Sequence, residues 1–196
     1  MIGIVNYGAG NIFSLTSALD RLSIPYGMVN SEEELEAYSH IIIPGVGHAG
    51  AAMHKLEQTG LVAAIKKLTK PVLGICVGMQ LLTEHSEEGD ANLMNIIPVK
   101  TKLFDKEIGI KIPHMGWNNI RPKNNLLFEG VDDGTQFYFV HSYFIEYNPT
   151  FDIASVNYGA PFSAAIQRGN FYGVQFHPEK SGIAGERLLK NFSNLT

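Results

Sequence analysis

Apolar residues along this chain change their spacing about halfway. In the first half, short apolar runs alternate with stretches in which apolar residues recur every three or four positions, the signature of strands alternating with helices. Ile2 to Val5 reads as a buried strand and Gly8-Ala9-Gly10-Asn11 as the turn after it. Ile12, Leu15, Ala18, Leu19 and Leu22 then share one helical face, with Asn11 placed to cap the helix. Tyr26 to Val29 is a second strand, and Ser31 with Glu34 forms the capping box of a short acidic helix. His40 to Ile43 is a third strand, ending in Pro44-Gly45-Val46-Gly47. Helices are predicted over 49–58 and 61–67, a fourth strand over 71–75 and a further helix over 79–85.

From Ile96 onward the spacing is mostly that of strands, over 96–103, 136–145, 153–158, 162–167 and 171–176. Arg168-Gly169-Asn170 joins the last two as a hairpin turn, and a closing helix over 185–194 carries Leu188, Leu189 and Phe192. Pro113 to Asn118 reads as a loop. Strand-helix alternation implies a parallel sheet covered on both faces. The expected architecture is therefore α/β, a flavodoxin-like three-layer sandwich with a mainly parallel central sheet and an antiparallel β extension in the second half. No repeat, low-complexity tract or linker divides the chain, so residues 1–196 are read as one domain.

Composition narrows the classes. With 45% apolar and 17% charged residues the chain has the make-up of a globular protein, and a net charge of −4 leaves no footprint for nucleic acid. Its apolar runs fall far short of the roughly 20 residues a membrane-spanning helix needs, and no secretory pattern opens the sequence. One cysteine cannot form an internal disulfide, which fits a reducing cytoplasm.

The placement of that cysteine carries the chemistry. Gly74-Ile75-Cys76-Val77-Gly78 lies between an apolar strand and a helical run, a nucleophile elbow with sulfur in place of oxygen. Such a turn exposes the side chain, the flanking glycines avoid collisions, and the Val77 N–H is placed to serve as an oxyanion donor. Unflanked, a free cysteine is more often an inert buried residue. A thiol nucleophile needs a base, and among seven histidines His177 stands out because it opens His177-Pro178-Glu179 after a strand. Residues two apart on an extended chain project to the same side, so Glu179 can orient the imidazole. A solvated surface turn is the plainer alternative, and His114 and His141 are rival bases that lack an acid two residues on. The second oxyanion donor is expected from Pro44-Gly45-Val46-Gly47, whose glycines permit positive φ, although an ordinary turn reads the same way.

Taken together, NYGAGN, PGVG, GICVGMQLL, HMGW and GVQFHPEKS, spread over nearly the whole chain, resemble the class I glutamine amidotransferase family. The narrower strings at 6–11, 113–118, 139–144 and 177–181 are similar to the glutaminase subunits of imidazole glycerol phosphate synthase. The resemblance implies Cys76 as nucleophile forming a γ-glutamyl thioester, His177 as base and acid, and Glu179 as its orienting partner. It implies that Gln80 and the backbone at Gly47 hold the substrate's amino-acid end, that Ser142 and Tyr143 complete the pocket, and that Val46 supplies a movable oxyanion N–H. It also implies a (βα)₈-barrel cyclase partner docked over Trp117, with Asn11 and Lys180 around the ammonia exit on the same side. Neither a cofactor nor a metal is expected: no G-x-x-x-x-G-K-[ST] string is present, and His48 and His54 are wrongly spaced for two ligands on one helix face. His48 after PGVG and Val77 after the cysteine depart from the family pattern without touching a catalytic group. A paralogue serving another synthase, such as one making amidino sugars, a non-catalytic domain of the same fold, and a cysteine peptidase or deglycase are the competing readings.

Overall fold

The computed structural model describes residues 1–196, apart from the side chain of Ile108. The first half runs β1 (Ile2–Val5), α1 (Ile12–Arg21), β2 (Tyr26–Val29), α2 (Glu32–Ala37), β3 (His40–Ile43), α3 (Ala49–Gln58), α4 (Val62–Lys66), β4 (Val72–Ile75) and α5 (Val77–Leu81). All residues of β1, β3 and β4 are buried, as strands covered on both faces must be. Helix α1 lays Leu15, Ala18 and Leu19 on the sheet, and the Asn11 side chain accepts from the Ser14 N–H at its start. Ser31 accepts from the Glu34 N–H, while the Glu34 carboxylate reaches past it to the Asn30 N–H, so this capping box closes one residue early.

The second half contains the short strands β5 (His85–Ser86) and β6 (Ala91–Asn92), then β7 (Lys100–Leu103), β8 (His114–Pro122), β9 (Gln136–His141) and β10 (Tyr143–Ile145). It closes with β11 (Asp152–Tyr158), β12 (Ala160–Arg168), β13 (Phe171–Val174) and α6 (Gly182–Ser193). The main sheet has nine strands in the order β2-β1-β3-β4-β13-β12-β11-β8-β9. From β2 to β13 neighbours run parallel, the flavodoxin-like order, and from β13 to β9 they run antiparallel. A second, four-stranded sheet, β10-β7-β5-β6, packs beside it. β13 is the hinge of the design. It pairs parallel with β4 and antiparallel with β12, so the strand that leads into His177 lies next to the strand that leads into Cys76.

The sequence reading needs correcting in several places. Pro113 to Asn118 is not a loop: from His114 it is the start of β8, in register with β9 from His114↔His141 to Asn119↔Gln136. Its polarity is inverted, with His114 buried while Met115 and Trp117 face outward at 59% and 54% exposure. The helix placed at 79–85 starts at Val77 and stops at Leu81. The carbonyls of Leu81, Leu82 and Thr83 accept instead from Met94, Ile96, Ile97 and Asn95 of the returning chain. That use of 94–97 also shortens the strand drawn over 96–103, which begins at Lys100. The single strand over 136–145 is two, broken at Ser142, where the chain leaves the main sheet and pairs Tyr143 with Leu103 in the second.

Candidate active site

Cys76 sits in the elbow between β4 and α5 with φ 54° and ψ −111°, a conformation costly for any residue with a Cβ. Neighbouring backbone holds it there. The Cys76 N–H donates to the Val174 carbonyl at 2.8 Å. A Cβ on Gly78 would lie 1.9 Å from the Ile43 carbonyl oxygen, and one on Gly74 would lie 2.4 Å from that of Gly78. Gly45 has the same role rather than a positive-φ one: its Cβ would lie 2.5 Å from the Gly78 nitrogen. Of the two loop glycines only Gly47, at φ +85°, uses conformational freedom. His48 caps α3 by accepting from the Ala51 N–H, so this departure from the family pattern has a local structural use.

His177 and Glu179, the pair singled out in the sequence, come from the chain after β13. His177 Nδ1 lies 2.7 Å from Glu179 Oε1, with both side chains almost wholly buried. The backbone reason differs from the expected one. Pro178–Lys180 forms a 3₁₀ turn, which curls Glu179 back beside the ring where an extended chain would have spaced them. This turn is clipped to the edge strand β9: the His177 N–H donates to the Tyr138 carbonyl, the Tyr138 N–H donates to Ser181 Oγ, and that hydroxyl donates to the His177 carbonyl. Gly185 lets α6 close underneath, since a Cβ there would lie 1.9 Å from the Pro178 carbonyl oxygen.

Burial of the His177 ring opposes its charge more than any other influence, yet the Cys76 sulfur and the Glu179 carboxylate together raise its pKa to about 10. Among the described residues its Nε2 has no hydrogen-bond partner. Glu179 is therefore the group that fixes the ring through Nδ1, while the far side of the ring is turned to the Cys76 sulfur. The rival bases are arranged otherwise. His114 Nδ1 donates to His141 Nε2 across 3.0 Å, and His141 Nδ1 donates to the Tyr143 carbonyl across 2.8 Å. Desolvation lowers their pKa values to about 4 and about 3, so both rings are neutral and structural at pH 7.

Cys76 and His177 border one cavity of about 320 Å³, together with Val46, Val77, Gly47, Gln80, Ser142 and Tyr143. Every substrate and oxyanion residue singled out in the sequence is thus gathered here. Glu179 stands behind His177 and lines a small second cavity with Asn11 and Val46. Gln80 is buried, donates from Nε2 to the Tyr143 carbonyl, and has no partner for Oε1 among the described residues. Sequence reasoning missed Glu88, whose carboxylate borders the cavity and accepts from the Ala49 N–H at 2.6 Å. In Ser86-Glu87-Glu88-Gly89-Asp90 it looks like any solvated acidic turn, and only the packing of the second sheet against α3 singles it out.

The Glutamine amidotransferase class-I family model matches residues 4–195. The chain belongs to the class I glutamine amidotransferase family. It is 47% identical to imidazole glycerol phosphate synthase subunit HisH of Bacteroides thetaiotaomicron, over 99% of each chain. It is 46% identical to the subunit of that name from Haemophilus influenzae, over 97% of this chain and 96% of that one. Among solved structures, a glutamine amidotransferase superposes with a TM-score of 0.75 at 18% identity, covering 97% of this chain and 96% of the other. PurLQS from Thermotoga maritima gives 0.73 at 19%, covering 98% and 97%. At those identities the structures speak for the fold alone.

This amidotransferase carries an exposed patch beside the site. Trp117 and Tyr138 are register partners on β8 and β9, their rings 6.1 Å apart, and Lys180 Nζ lies 5.9 Å from the Tyr138 ring centre. Tyr138 is also the residue whose backbone clips the His177 turn, so the patch and that turn share one strand position. Asn11 stands at the head of α1 and lines the small second cavity with His177 and Glu179. No helix of the described chain is long and apolar enough to cross a membrane.

Proposed function

We infer that this chain is the glutaminase subunit of an imidazole glycerol phosphate synthase, supplying ammonia for histidine biosynthesis in the cytoplasm. The observation that carries the reading is the convergence of Cys76 with the 2.7 Å His177–Glu179 pair on one cavity, in a chain 47% identical over its length to a HisH subunit.

In this reading glutamine enters with its side-chain amide beside Cys76. Glu88 accepts from the substrate ammonium, the free Gln80 Oε1 adds a second acceptor, and the Gly47 backbone with Ser142 and Tyr143 takes the carboxylate. Cys76 sulfur attacks the amide carbon, while the Val77 and Val46 N–H groups receive the developing oxyanion. His177 Nε2 delivers a proton to the leaving nitrogen, ammonia departs, and a thioester remains. His177 then takes a proton from water, which attacks the thioester and releases glutamate and the Cys76 thiolate, restoring the starting pair. Oxyanion donors are worth about 10²–10³-fold in turnover, so the orientation of the Val46 peptide gates the rate. The free chain is accordingly a poor glutaminase until its loaded partner docks.

The ammonia serves a second subunit, a (βα)₈-barrel cyclase, which docks over Trp117, Lys180 and Asn11. The pair turns glutamine and a phosphoribulosyl-formimino aminoimidazole nucleotide into imidazole glycerol phosphate, an aminoimidazole carboxamide ribotide and glutamate. The test is Cys76→Ala in complex with the cyclase. Glutamine-driven synthesis should vanish while synthesis from ammonium salts continues, because the partner needs only ammonia. Substantial glutamine-driven turnover by the variant would overturn the assignment.

A further inference from the structure

Gln175 is fully buried, lies just past the end of β13, and has no part in the triad or in the substrate contacts described above. Its Nε2 lies 3.8 Å from Cys76 Sγ and its Oε1 lies 3.3 Å from Gln80 Nε2. Amide oxygen and nitrogen look alike, so the value of this contact depends on which way the side chain is turned. The surroundings decide it. The Tyr143 carbonyl can only accept, and Gln80 must therefore present its NH₂ there. The same NH₂ faces Gln175, which must answer with its oxygen. That leaves the Gln175 NH₂ pointing at sulfur. The Tyr143 carbonyl also accepts from His141 and so sets its tautomer, His141 in turn sets that of His114, and the free nitrogen of His114 accepts from Asn118. Each link is determined by the one before it.

We propose that Gln175 is a fourth catalytic residue, an N–H donor turned permanently toward the Cys76 sulfur that favours the thiolate over the thiol and aims it into the cavity. The sulfur has two partners suited to its two states. As a thiol it donates to the Val140 carbonyl at 4.0 Å, and as a thiolate it accepts from Gln175. An amide N–H rewards only the charged acceptor strongly, and burial away from water magnifies the difference. Gln80 orients this donor and also faces the substrate, so it joins glutamine recognition to the readiness of the nucleophile.

The proposal rests on Cys76 being the nucleophile, and the experiment separates the two ideas. Because Cys76 is the single cysteine, iodoacetamide alkylation of the full-length chain reads this one sulfur without any reference to glutaminase activity. In Gln175→Met, of similar volume but without a donor, alkylation at pH 7 should slow about tenfold, the lower end of what a hydrogen bond to a charged group contributes. In complex with the cyclase, kcat with glutamine should fall about tenfold while KM stays within about twofold, since the Tyr143 carbonyl still holds Gln80 in place. Gln175→Glu serves if the methionine variant does not fold. Its carboxylate sets negative charge against sulfur, and alkylation should slow by more than in Gln175→Met. Alkylation at the parental rate in a folded variant overturns the proposal even if Cys76→Ala is inactive. Slowed alkylation together with glutamine turnover by Cys76→Ala would instead leave the donor in place and remove the nucleophile assignment.

Discussion

The parallel half of the molecule holds Cys76, and the antiparallel half holds His177, by different means. Cys76 is fixed by backbone packed against backbone: Gly78 under the Ile43 carbonyl, Gly74 against Gly78, and Gly45 against the Gly78 nitrogen. Almost no side chain takes part. His177 is fixed by hydrogen bonds and buried charge: the Ser181 hydroxyl, both backbone groups of Tyr138, and Glu179. The first kind of support admits no change of volume. The second can be weakened in steps and reached from the surface, because Tyr138 is a register partner of the exposed Trp117. Strand β9 touches both groups, His177 through the Tyr138 backbone and the Cys76 sulfur through the Val140 carbonyl.

The largest effect that probes this contrast should come from Gly78→Ala. A Cβ there would meet the Ile43 carbonyl oxygen at 1.9 Å, in backbone that cannot yield without moving β3. The expected cost is at least about 3 kcal/mol, seen as loss of soluble protein or a greatly lowered midpoint in urea. A stable, active Gly78→Ala protein would show that the elbow has slack and remove one side of the comparison.

Trp117→Ala tests the other half. The ring is 54% exposed and packs edge-on against Tyr138, so its removal should leave the Tm of the free chain nearly unchanged. At the centre of a docking face it should cost at least about 2 kcal/mol, or roughly 30-fold in affinity for the cyclase by titration. A large fall in Tm with unchanged affinity would return Trp117 to a structural role.

The smallest effect is a pH dependence carried mainly by the antiparallel half, with burial lowering the pKa of His40 on β3 as well. His114 and His141 have native pKa values near 4 and 3 against 6.5 for the free side chain. Groups lowered in this way contribute stability that is fully present above pH 6.5 and lost as pH falls toward 4 and below. His177 has the opposite sign: with its pKa raised to about 10, its contribution is full below pH 6.5 and is lost only as pH climbs through that value. The Tm should accordingly drop by several degrees between pH 6.5 and 4. His114→Gln should flatten that slope while leaving the alkaline limb unchanged. An identical acid slope in the variant would show that the pair titrates normally.

The sequence by itself determined the alternation of strands and helices from β1 to β4, the elbow at Cys76, the pairing of His177 with Glu179 and the helices α1 and α3. Each of these depends on residues close together in the chain, where periodicity, glycine spacing and a local turn are sufficient signals. Tertiary structure alone decided the rest. β8 reads as a loop because its inward residues are His114 and Asn118 and its outward ones Met115 and Trp117. That pattern is stable only when His141, Tyr143 and Asn157, far along the chain, supply the hydrogen bonds the buried polar groups need. Ser142 breaks what looks like one strand because a second sheet is there to take up Tyr143. Glu88 and Gln175 carry no local mark either. One is an acid in an acidic turn and the other a polar residue near a strand end, and each reaches the site only through the non-local pairing of β4 with β13 and the folding of the second sheet over α3.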